Sequence, residues 1–407
     1  MPELPVYLDF HATTPLDPGV MEHMIPWMTR WYGNASSRQH AYGRMAAAAV
    51  STARDEVALA IGSTASEIVF TSGATESINL AIKGAAEAYA GKGRHFITCA
   101  TEHPAMLDTC KTLERSGAEV TVLGVDGQGR LNPDALKEAI RPDTILAAIM
   151  LANNETGLIH DIRAFSDICR AQGVLLFTDA TQAAGKIPID VDALGVDMLC
   201  LSAHKFYGPK GVGCLYVRRR SPRVRLVSQL DGGGHESGLR SGTLNVPGIV
   251  GMGKAISIAT ARMQAEMPRL SALRDRLEGR LVRAGECYVN AGRAQRLSTV
   301  SNLSFRFIEG QAMLGVVSRD LAVSTGSACS SASMEPSHVL TAMGLGRELA
   351  YASLRISLGF PTTEADIDHA AQCILSALQH FRETGQLWEF GREGQLPDCS
   401  GWHHPDL

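Results

Sequence analysis

The chain has 407 residues, enough for two or three domains, and its 45% hydrophobic and 20% charged residues are typical of a globular protein. Its 38 basic and 42 acidic residues give a net charge of −4, which argues against direct nucleic-acid binding. No apolar run reaches the ~18 residues of a membrane helix. Residues 1–10 are unlike a secretory signal, so we expect a cytoplasmic protein that does not contact a membrane.

The nine cysteines are an odd number and contain no CxxC pair, which argues against a disulfide scaffold or a zinc ribbon and favours a reducing compartment. Most of them lie among apolar neighbours and are expected to be small core residues: Cys99, Cys110, Cys169, Cys200, Cys214, Cys287 and Cys373. Cys329 differs, because it lies in a segment of small polar residues.

Between about residues 46 and 217 helical and strand patterns alternate. Helices are predicted at 44–61, 78–90 and 106–116, and strands at 67–71, 95–99, 120–125, 144–151, 174–177, 198–201 and 212–217. This alternation indicates an α/β fold with a mostly parallel sheet covered by helices. The last two strands are too close for a helical crossover and favour an antiparallel pair.

A second, smaller α+β domain is expected to follow. A charged, mostly solvent-facing helix is predicted at 263–284, with Pro268 either kinking it or marking the start of its second part. A strand at 300–307, a helix at 313–320 and a closing helix at 363–382 come next. We therefore expect a segment 1–15 packing with the small domain, a large domain 16–262, a small domain 263–382 and a partly mobile tail 383–407.

Polar residues and glycines follow five of the predicted strands, at 71–76, 101–104, 153–157, 179–182 and 202–205. The carboxyl ends of parallel strands line one crevice of an open α/β sheet, so these clusters are expected to converge on one site. Gly73, Ala74 and Thr75 begin a helix whose N–H groups suit a phosphate, although Thr75 could equally be a simple helix cap. Ser202 and His204 can add further donors.

Asp179 ends an apolar strand and needs a cation partner there, and Lys205 is a lysine positioned as a buried nucleophile. A salt bridge between the two is one interpretation. The other is a pyridoxal phosphate site, with Lys205 linked covalently to the cofactor and Asp179 holding its pyridine nitrogen protonated. His103 could stack on the ring, or simply be a loop histidine before a proline, and Gln182 could bond the phenolic oxygen. No GxGxxG follows the first strand, which argues against a dinucleotide.

With these residues in view, the sequence resembles the pyridoxal-phosphate-dependent cysteine desulfurases of the NifS/IscS family, and the housekeeping IscS branch in particular. The resemblance covers nearly the whole chain and implies fold type I of the pyridoxal-phosphate-dependent transferases. The matching stretches are 7–9 with 12–15, 70–76, 101–103, 153–155, 179–182, 204–205 with 207–211, 240–243, 326–329, 354–357 and the tryptophan–histidine tail at 402–404.

This resemblance implies a role for each candidate residue. Lys205 and His103 would be catalytic, with His103 also stacking on the cofactor. The cofactor-binding set would be Ala74, Thr75, His103, Asn154, Asp179, Gln182, Ser202, His204, Lys205 and Thr243. Thr243 would come from the neighbouring subunit of a homodimer. Arg355, with Asn154, would bind the carboxylate of L-cysteine, since a guanidinium can hold both oxygens, although a surface ion pair is the alternative for Arg355.

Cys329 lies in ten residues, 324–333, without one large apolar side chain, so the segment is expected to be a mobile loop. A flexible loop with an incidental thiol is the plain interpretation. The resemblance implies instead that Cys329 takes the substrate sulfur as a persulfide, leaving alanine, and passes it to an iron–sulfur scaffold protein and to other acceptors, such as those for tRNA thiolation. No resident metal is implied, although Cys329 could transiently ligate a [2Fe–2S] cluster through the persulfide.

Three alternatives remain open on the sequence: a selenocysteine lyase, a small-amino-acid transaminase, and a sulfur carrier or scaffold without catalysis. The thiol of Cys329 argues against the transaminase, which needs none. The presence of Lys205, Asp179 and His103 argues against the non-catalytic carrier. The tail is hypothesised to dock a cluster scaffold protein.

Overall fold

The computed structural model describes residues 4–309, 311–325, 335–392 and 403–405. The strands are β1 (Val6–Tyr7), β2 (Ile68–Thr71), β3 (His95–Cys99), β4 (Glu119–Leu123), β5 (Thr144–Ala148), β6 (Leu175–Asp179), β7 (Met198–Ser202), β8 (Gly213–Val217), β9 (Cys287–Val289), β10 (Val300–Phe305), β11 (Leu321–Ala322) and β12 (Ser353–Ser357). The helices are α1 (Pro18–Thr29), α2 (Ala41–Ala60), α3 (Ala74–Ala88), α4 (Pro104–Arg115), α5 (Pro133–Ala139), α6 (Ile162–Ala171), α7 (Val191–Leu194), α8 (Val246–Val282), α9 (Ala312–Val317), α10 (His338–Ala342), α11 (Arg347–Tyr351), α12 (Glu364–Thr384) and α13 (Gln386–Arg392).

A seven-stranded sheet with the order β2-β8-β7-β6-β5-β3-β4 forms the centre of the larger part of the molecule. All its pairings are parallel except those of β8, which runs antiparallel to β2 and β7. The predicted mostly parallel α/β sheet and its antiparallel last pair are therefore confirmed. Because β8 reverses between two neighbours, β2 points the same way as the parallel strands, and its carboxyl end reaches the same edge.

Apolar side chains cover both faces of this sheet, as expected for buried parallel strands. Along β6, Leu176 belongs to the core on one face, while Leu175 and Phe177 belong to the core on the other. Helices complete both layers. The strands are thus fixed from two sides, and their carboxyl ends become a rigid edge for the polar residues that follow them.

A third hydrophobic core lies around the small antiparallel sheet β12-β10-β9. It contains Leu303 of β10 and Leu354 of β12, and it also takes in Leu8 from the N-terminal segment, whose strand β1 pairs with β11. Leu8 is completely buried there. Leu8 of the N-terminal segment therefore belongs to the smaller core, and the residues after it cross towards the large sheet.

The long helix α8 corrects one prediction from the sequence. It begins at Val246 rather than near residue 263, and it is 37 residues long. It continues through Pro268 without a break. Nor does its second half mainly face solvent, because Leu270, Leu273, Leu277 and Leu281 are buried in the small core. One helix therefore belongs to both cores.

Six of the seven cysteines expected in the core are buried, and Cys373 is the exception, since its side chain is partly exposed.

Candidate active site

A cavity of about 560 Å³ opens at the carboxyl edge of the large sheet. It brings together residues that follow five different strands and that are far apart in sequence. Its lining includes the sequence-predicted residues Ala74, Thr75, His103, Asn154, Asp179, Gln182, Ser202, His204, Lys205 and Arg355. The sheet topology alone accounts for this convergence, because the strands β2, β3, β5, β6 and β7 all end at this edge.

One end of the cavity is built to hold an anion. Helix α3 begins there after Gly73, whose φ of 152° lies in the region that favours glycine, and no side chain caps this helix. Its first N–H groups are thus left for a ligand. Thr75 is the second residue of the helix and not its cap, so the simple capping interpretation of Thr75 is wrong. Ser202, His204 and Lys210 line the same cavity.

His204 is a neutral donor in this setting. Burial, and then the charge of Lys205, lower the pKa of its imidazole to about 4. Its Nδ1 lies 3.1 Å from the hydroxyl oxygen of Thr13. The ring is therefore held in place by a side chain of the N-terminal segment.

Lys205 and Asp179 both face the cavity, but each has local partners. Lys205 Nζ donates to the carbonyl oxygens of His11 (2.6 Å) and Ala12 (2.8 Å). Asp179 is 8% exposed, and its Oδ1 accepts a 2.8 Å bond from Thr181 N–H. A carboxylate so close to complete burial, on the wall of a cavity, is well placed to hold a cationic group of a ligand.

His103 is fixed at the N-terminus of α4, where its Nδ1 accepts from the N–H of Ala105 at 3.1 Å. The proton of the neutral ring must then be on Nε2. Burial lowers the pKa of His103, and the nearby charge of Asp179 opposes that shift. A neutral imidazole carrying one N–H, with its orientation set by the helix, can stack on a ring or shuttle a proton.

Gln182 has one of its amide hydrogens engaged, because Nε2 donates to the carbonyl oxygen of His11 at 2.9 Å. An amide has a second N–H, which remains for a ligand oxygen. The side chain is 4% exposed, so its position is set by packing.

Arg355 lies on β12 and reaches the cavity although it is 1% exposed, so the surface ion pair considered for it is wrong. Its Nη2 donates to Asp9 Oδ1 and to Ser324 Oγ, each at 2.9 Å, and its Nη1 donates to the Asn154 carbonyl oxygen at 3.3 Å. Among the described residues its Nε has no partner. A buried guanidinium on the wall of a cavity is suited to a carboxylate.

The N-terminal segment is the part of the site that the sequence analysis missed. His11, Ala12 and Thr13 line the cavity, and His11 is 1% exposed. The signal was available, since residues 7–9 and 12–15 were among the stretches carrying the family resemblance, but they were assigned only to packing against the small domain.

A second missed residue is Glu102, next to His103. It is completely buried, and its Oε1 accepts a hydrogen bond from the N–H of Met150, which lines the cavity. Its Oε2 has no partner in the part of the chain that the structure describes. Burial raises the pKa of this carboxyl well above its ordinary value, and the charge of Asp179 raises it further. Burial therefore favours the protonated form of Glu102, next to residues that line the cavity.

Thr243 does not line the cavity and lies in the exposed stretch before α8. Cys329 lies outside the described residues. In the described part of the chain no group of three or more His, Cys, Asp or Glu side chains is arranged to hold a metal ion. Nor does any helix within the described ranges have the length and apolar character needed to cross a membrane.

Comparison with known proteins gives consistent matches along the chain. The model of the family "Aminotransferase class-V" matches residues 6–369. The chain is 52% identical over 404 residues to the cysteine desulfurase IscS of Anaeromyxobacter dehalogenans, covering 99% of this chain and all of that protein. A solved NifS-like protein superposes with a TM-score of 0.86 at 37% identity, covering 93% of this chain and 100% of the other. SspA, solved in complex with cysteine, superposes at 0.76 and 39% identity, covering 87% and 98%.

Proposed function

The chain belongs to the class-V aminotransferase family, and from this premise we propose that it is a pyridoxal-phosphate-dependent cysteine desulfurase. It converts L-cysteine to L-alanine and passes the sulfur, by way of an enzyme persulfide, to acceptor proteins for iron–sulfur cluster assembly and, through further acceptors, tRNA thiolation. The single observation that carries the proposal is that the amine of Lys205, the carboxylate of Asp179 and the open N-terminus of α3 line one cavity.

The residues present fit pyridoxal phosphate. The uncapped N–H groups at Ala74 and Thr75, with Ser202 and His204, suit its phosphate. The approach is kept open by glycine: a Cβ on Gly213 would come within 2.6 Å of the Cα of Gly73, so a side chain there would displace the start of α3. The donors that suit the phosphate and the carboxylate that suits the pyridine nitrogen thus line the same cavity.

When bound, pyridoxal phosphate supplies an electron sink for a carbanion at the substrate Cα. Asp179 would hold the pyridine nitrogen protonated, and Gln182 would donate to the phenolic oxygen. Lys205 would hold the cofactor covalently, and its amine, when free, would accept the substrate α-proton. His103 would give the proton on its Nε2 to the substrate and take one up again. Arg355, with Asn154, would hold the substrate carboxylate.

Cys329 supplies the acceptor for the sulfur. Its thiolate attacks the sulfur of the bound cysteine, the Cβ–S bond breaks as the new Sγ–S bond forms, and the carbon fragment takes up a proton to become alanine. One cysteine and one enzyme thiol thus give one alanine and one persulfide, with no outside oxidant. An acceptor protein or an added thiol then removes the sulfur.

The test is alanine release from L-cysteine, with reductant, by the wild type, Cys329→Ala and a matched control, Cys373→Ala. Cys373 is a partly exposed cysteine outside the cavity. We expect alanine from the wild type and from Cys373→Ala but not from Cys329→Ala, while all three bind cysteine. Full activity in Cys329→Ala would contradict the role of this thiol. No alanine from any of the three would contradict the desulfurase itself.

We also propose a homodimer whose sites are completed across the interface. On α1, Met21, Ile25 and Met28 are 49%, 45% and 61% exposed and follow each other at helical spacing, which is typical of an interface. Thr243 is exposed and does not line the cavity of its own subunit, as expected of a residue that reaches the partner's phosphate.

Subunit complementation tests this arrangement. Lys205→Ala and Thr243→Ala homodimers should each be weak or inactive. In a mixed dimer the Thr243→Ala subunit keeps its Lys205, and the Lys205→Ala subunit supplies an intact Thr243 to that site. Co-expression of the two variants should therefore restore activity at one of the two sites. If each site used its own Thr243, the mixed dimer would stay inactive.

The tail, 383–407, is proposed to dock the iron–sulfur scaffold protein. Deleting 387–407 should weaken scaffold binding and leave free-cysteine turnover intact; unchanged binding would refute it. A thermal melt is the control, because Trp388 packs edge-on against Phe307 and His404 stacks on Tyr288. For location we propose the cytoplasm, where the six buried cysteines would persist as free thiols.

A further inference from the structure

Arg355 forms an ion pair with a carboxylate that does not itself line the cavity. Asp9 Oδ1 lies 2.9 Å from Arg355 Nη2, and its side chain is 20% exposed where that of Arg355 is 1% exposed. Asp9 is absent from the cavity lining, whereas Arg355 is part of it. Among the described residues, Asp9 is the acidic side chain that forms an ion pair with Arg355.

The contact is geometrically constrained. Ser324 Oγ donates to Asp9 Oδ1 at 2.7 Å and accepts from Arg355 Nη2 at 2.9 Å, so the three side chains form a closed triangle. The backbones of Ser324 and Arg355 bond each other in both directions, and Asp9 forms a bridge with Ser357 on the neighbouring edge. Asp9 therefore has little freedom to move away, and it fixes the plane of the guanidinium.

The charge balance gives Asp9 a second effect. A buried guanidinium without a counter-ion would bind any carboxylate strongly. Here it also lies in the same electrostatic neighbourhood as Lys186 and Lys205, because all three charges act on His11. Asp9 neutralises one of these cations and opposes the arrival of a second carboxylate. Since L-cysteine and L-alanine carry the same α-carboxylate, this weakening acts on the product as well as the substrate.

We propose that Asp9 is a positioning residue of the carboxylate-binding site: it sets the orientation of Arg355 and limits its affinity for α-carboxylates, so that alanine can leave. This inference rests on the proposed function, in which Arg355 binds the substrate carboxylate. Asp9 acts only through Arg355 and does not touch the substrate.

The experiment separates charge from shape. Asp9→Asn keeps an oxygen that accepts from Arg355 and Ser324 but removes the negative charge. In the holoenzyme we measure the affinity for L-alanine by calorimetry and the affinity for propionate by its inhibition of L-cysteine turnover. Both affinities should increase, by about tenfold, because solvent screens the partly exposed charge of Asp9. Ethylamine, which has an amine but no carboxylate, should bind unchanged.

The matched control is Asp17→Asn, because Asp17 also pairs with an arginine, Arg262, but outside the cavity. It should leave both affinities unchanged. If Asp9→Asn kept its melting temperature but bound these ligands no more tightly than the wild type, the inference about Asp9 would be overturned. A large loss of binding in Arg355→Gln would still support the assigned carboxylate site. Unchanged binding in Arg355→Gln would instead remove the assigned site, and the role of Asp9 with it.

Discussion

His11 makes the stability of this protein depend on pH in a way that can be isolated. Its ring is buried: Nδ1 lies 3.2 Å from the Asn154 carbonyl oxygen and Nε2 lies 2.9 Å from Thr299 Oγ1. A carbonyl can only accept, so Nδ1 carries the proton and Nε2 accepts from the threonine. Burial, followed by the charges of Lys186 and Arg355, holds the pKa of His11 well below 6.5.

The sign follows from proton uptake. Below pH 6.5 the unfolded chain protonates this histidine while the folded protein does not, so stability is present above that pH and is lost as the pH falls. At pH 5, about 1.5 units below the unfolded pKa, this single group removes about 2 kcal/mol from the free energy of unfolding. Other buried histidines, such as His160 with its pKa lowered to about 4, add similar losses, but these are shared by the variants compared.

The perturbation is His11→Asn. Asparagine can still donate to the Asn154 carbonyl but is too short to reach the Thr299 hydroxyl that Nε2 contacts, so we expect a loss of about 1–2 kcal/mol at pH 7.5. The further loss between pH 7.5 and pH 5 should be smaller than in the wild type by about 2 kcal/mol, because the titrating group has gone.

Urea unfolding at the two pH values measures both quantities, and His23→Asn serves as the control, since His23 is exposed and should follow the wild type. If His11→Asn lost as much stability as the wild type on going to pH 5, the buried, neutral state assigned to His11 would be wrong.

Three further predictions concern buried ionisable groups. Above the ordinary carboxyl pKa, wild-type stability should fall by about 1.4 kcal/mol per pH unit, because the folded protein holds the Glu102 proton and the unfolded chain releases it. Glu102→Gln should remove this fall. Urea unfolding at pH 5 and pH 7 measures it, and a variant that lost as much stability as the wild type would contradict the prediction. Lys186, whose pKa is lowered to about 7 by burial, should make wild-type stability rise by about 2 kcal/mol from pH 7 to 9, and Lys186→Met should abolish that rise in the same assay. Arg54→Met should cost about 3–5 kcal/mol in denaturant unfolding, because Glu236, 1% exposed, would lose its 2.6 Å partner; a loss under 1 kcal/mol would refute this.

The large sheet could be predicted from local sequence because each strand is a short run of β-branched or apolar residues ended by turn residues. The polar clusters at the strand ends also followed from sequence, since parallel strands present their carboxyl ends at one edge. Even the reversed strand was readable, because the few residues between β7 and β8 leave no room for a crossover helix.

The first half of α8 was not readable in this way. Gly248, Gly251 and Gly253 give it a poor helix propensity. Packing decides otherwise: a Cβ on Gly253 would come 2.8 Å from the Cα of Ala53 on α2, and one on Gly251 would come 2.5 Å from the sulfur of Met24. The close approach of neighbouring helices stabilises what the local sequence disfavours.

Lys205, Asp179, His103 and the helix start at Ala74 are recognisable from residue type and position, so the available chemistry can be inferred before any fold is known. The contacts that control this chemistry form only in the folded chain. Asp9 and Arg355 are 346 positions apart, yet they form an ion pair. No local pattern encodes that contact, since it exists only where the N-terminal segment packs against the small sheet and then crosses to the edge of the large one.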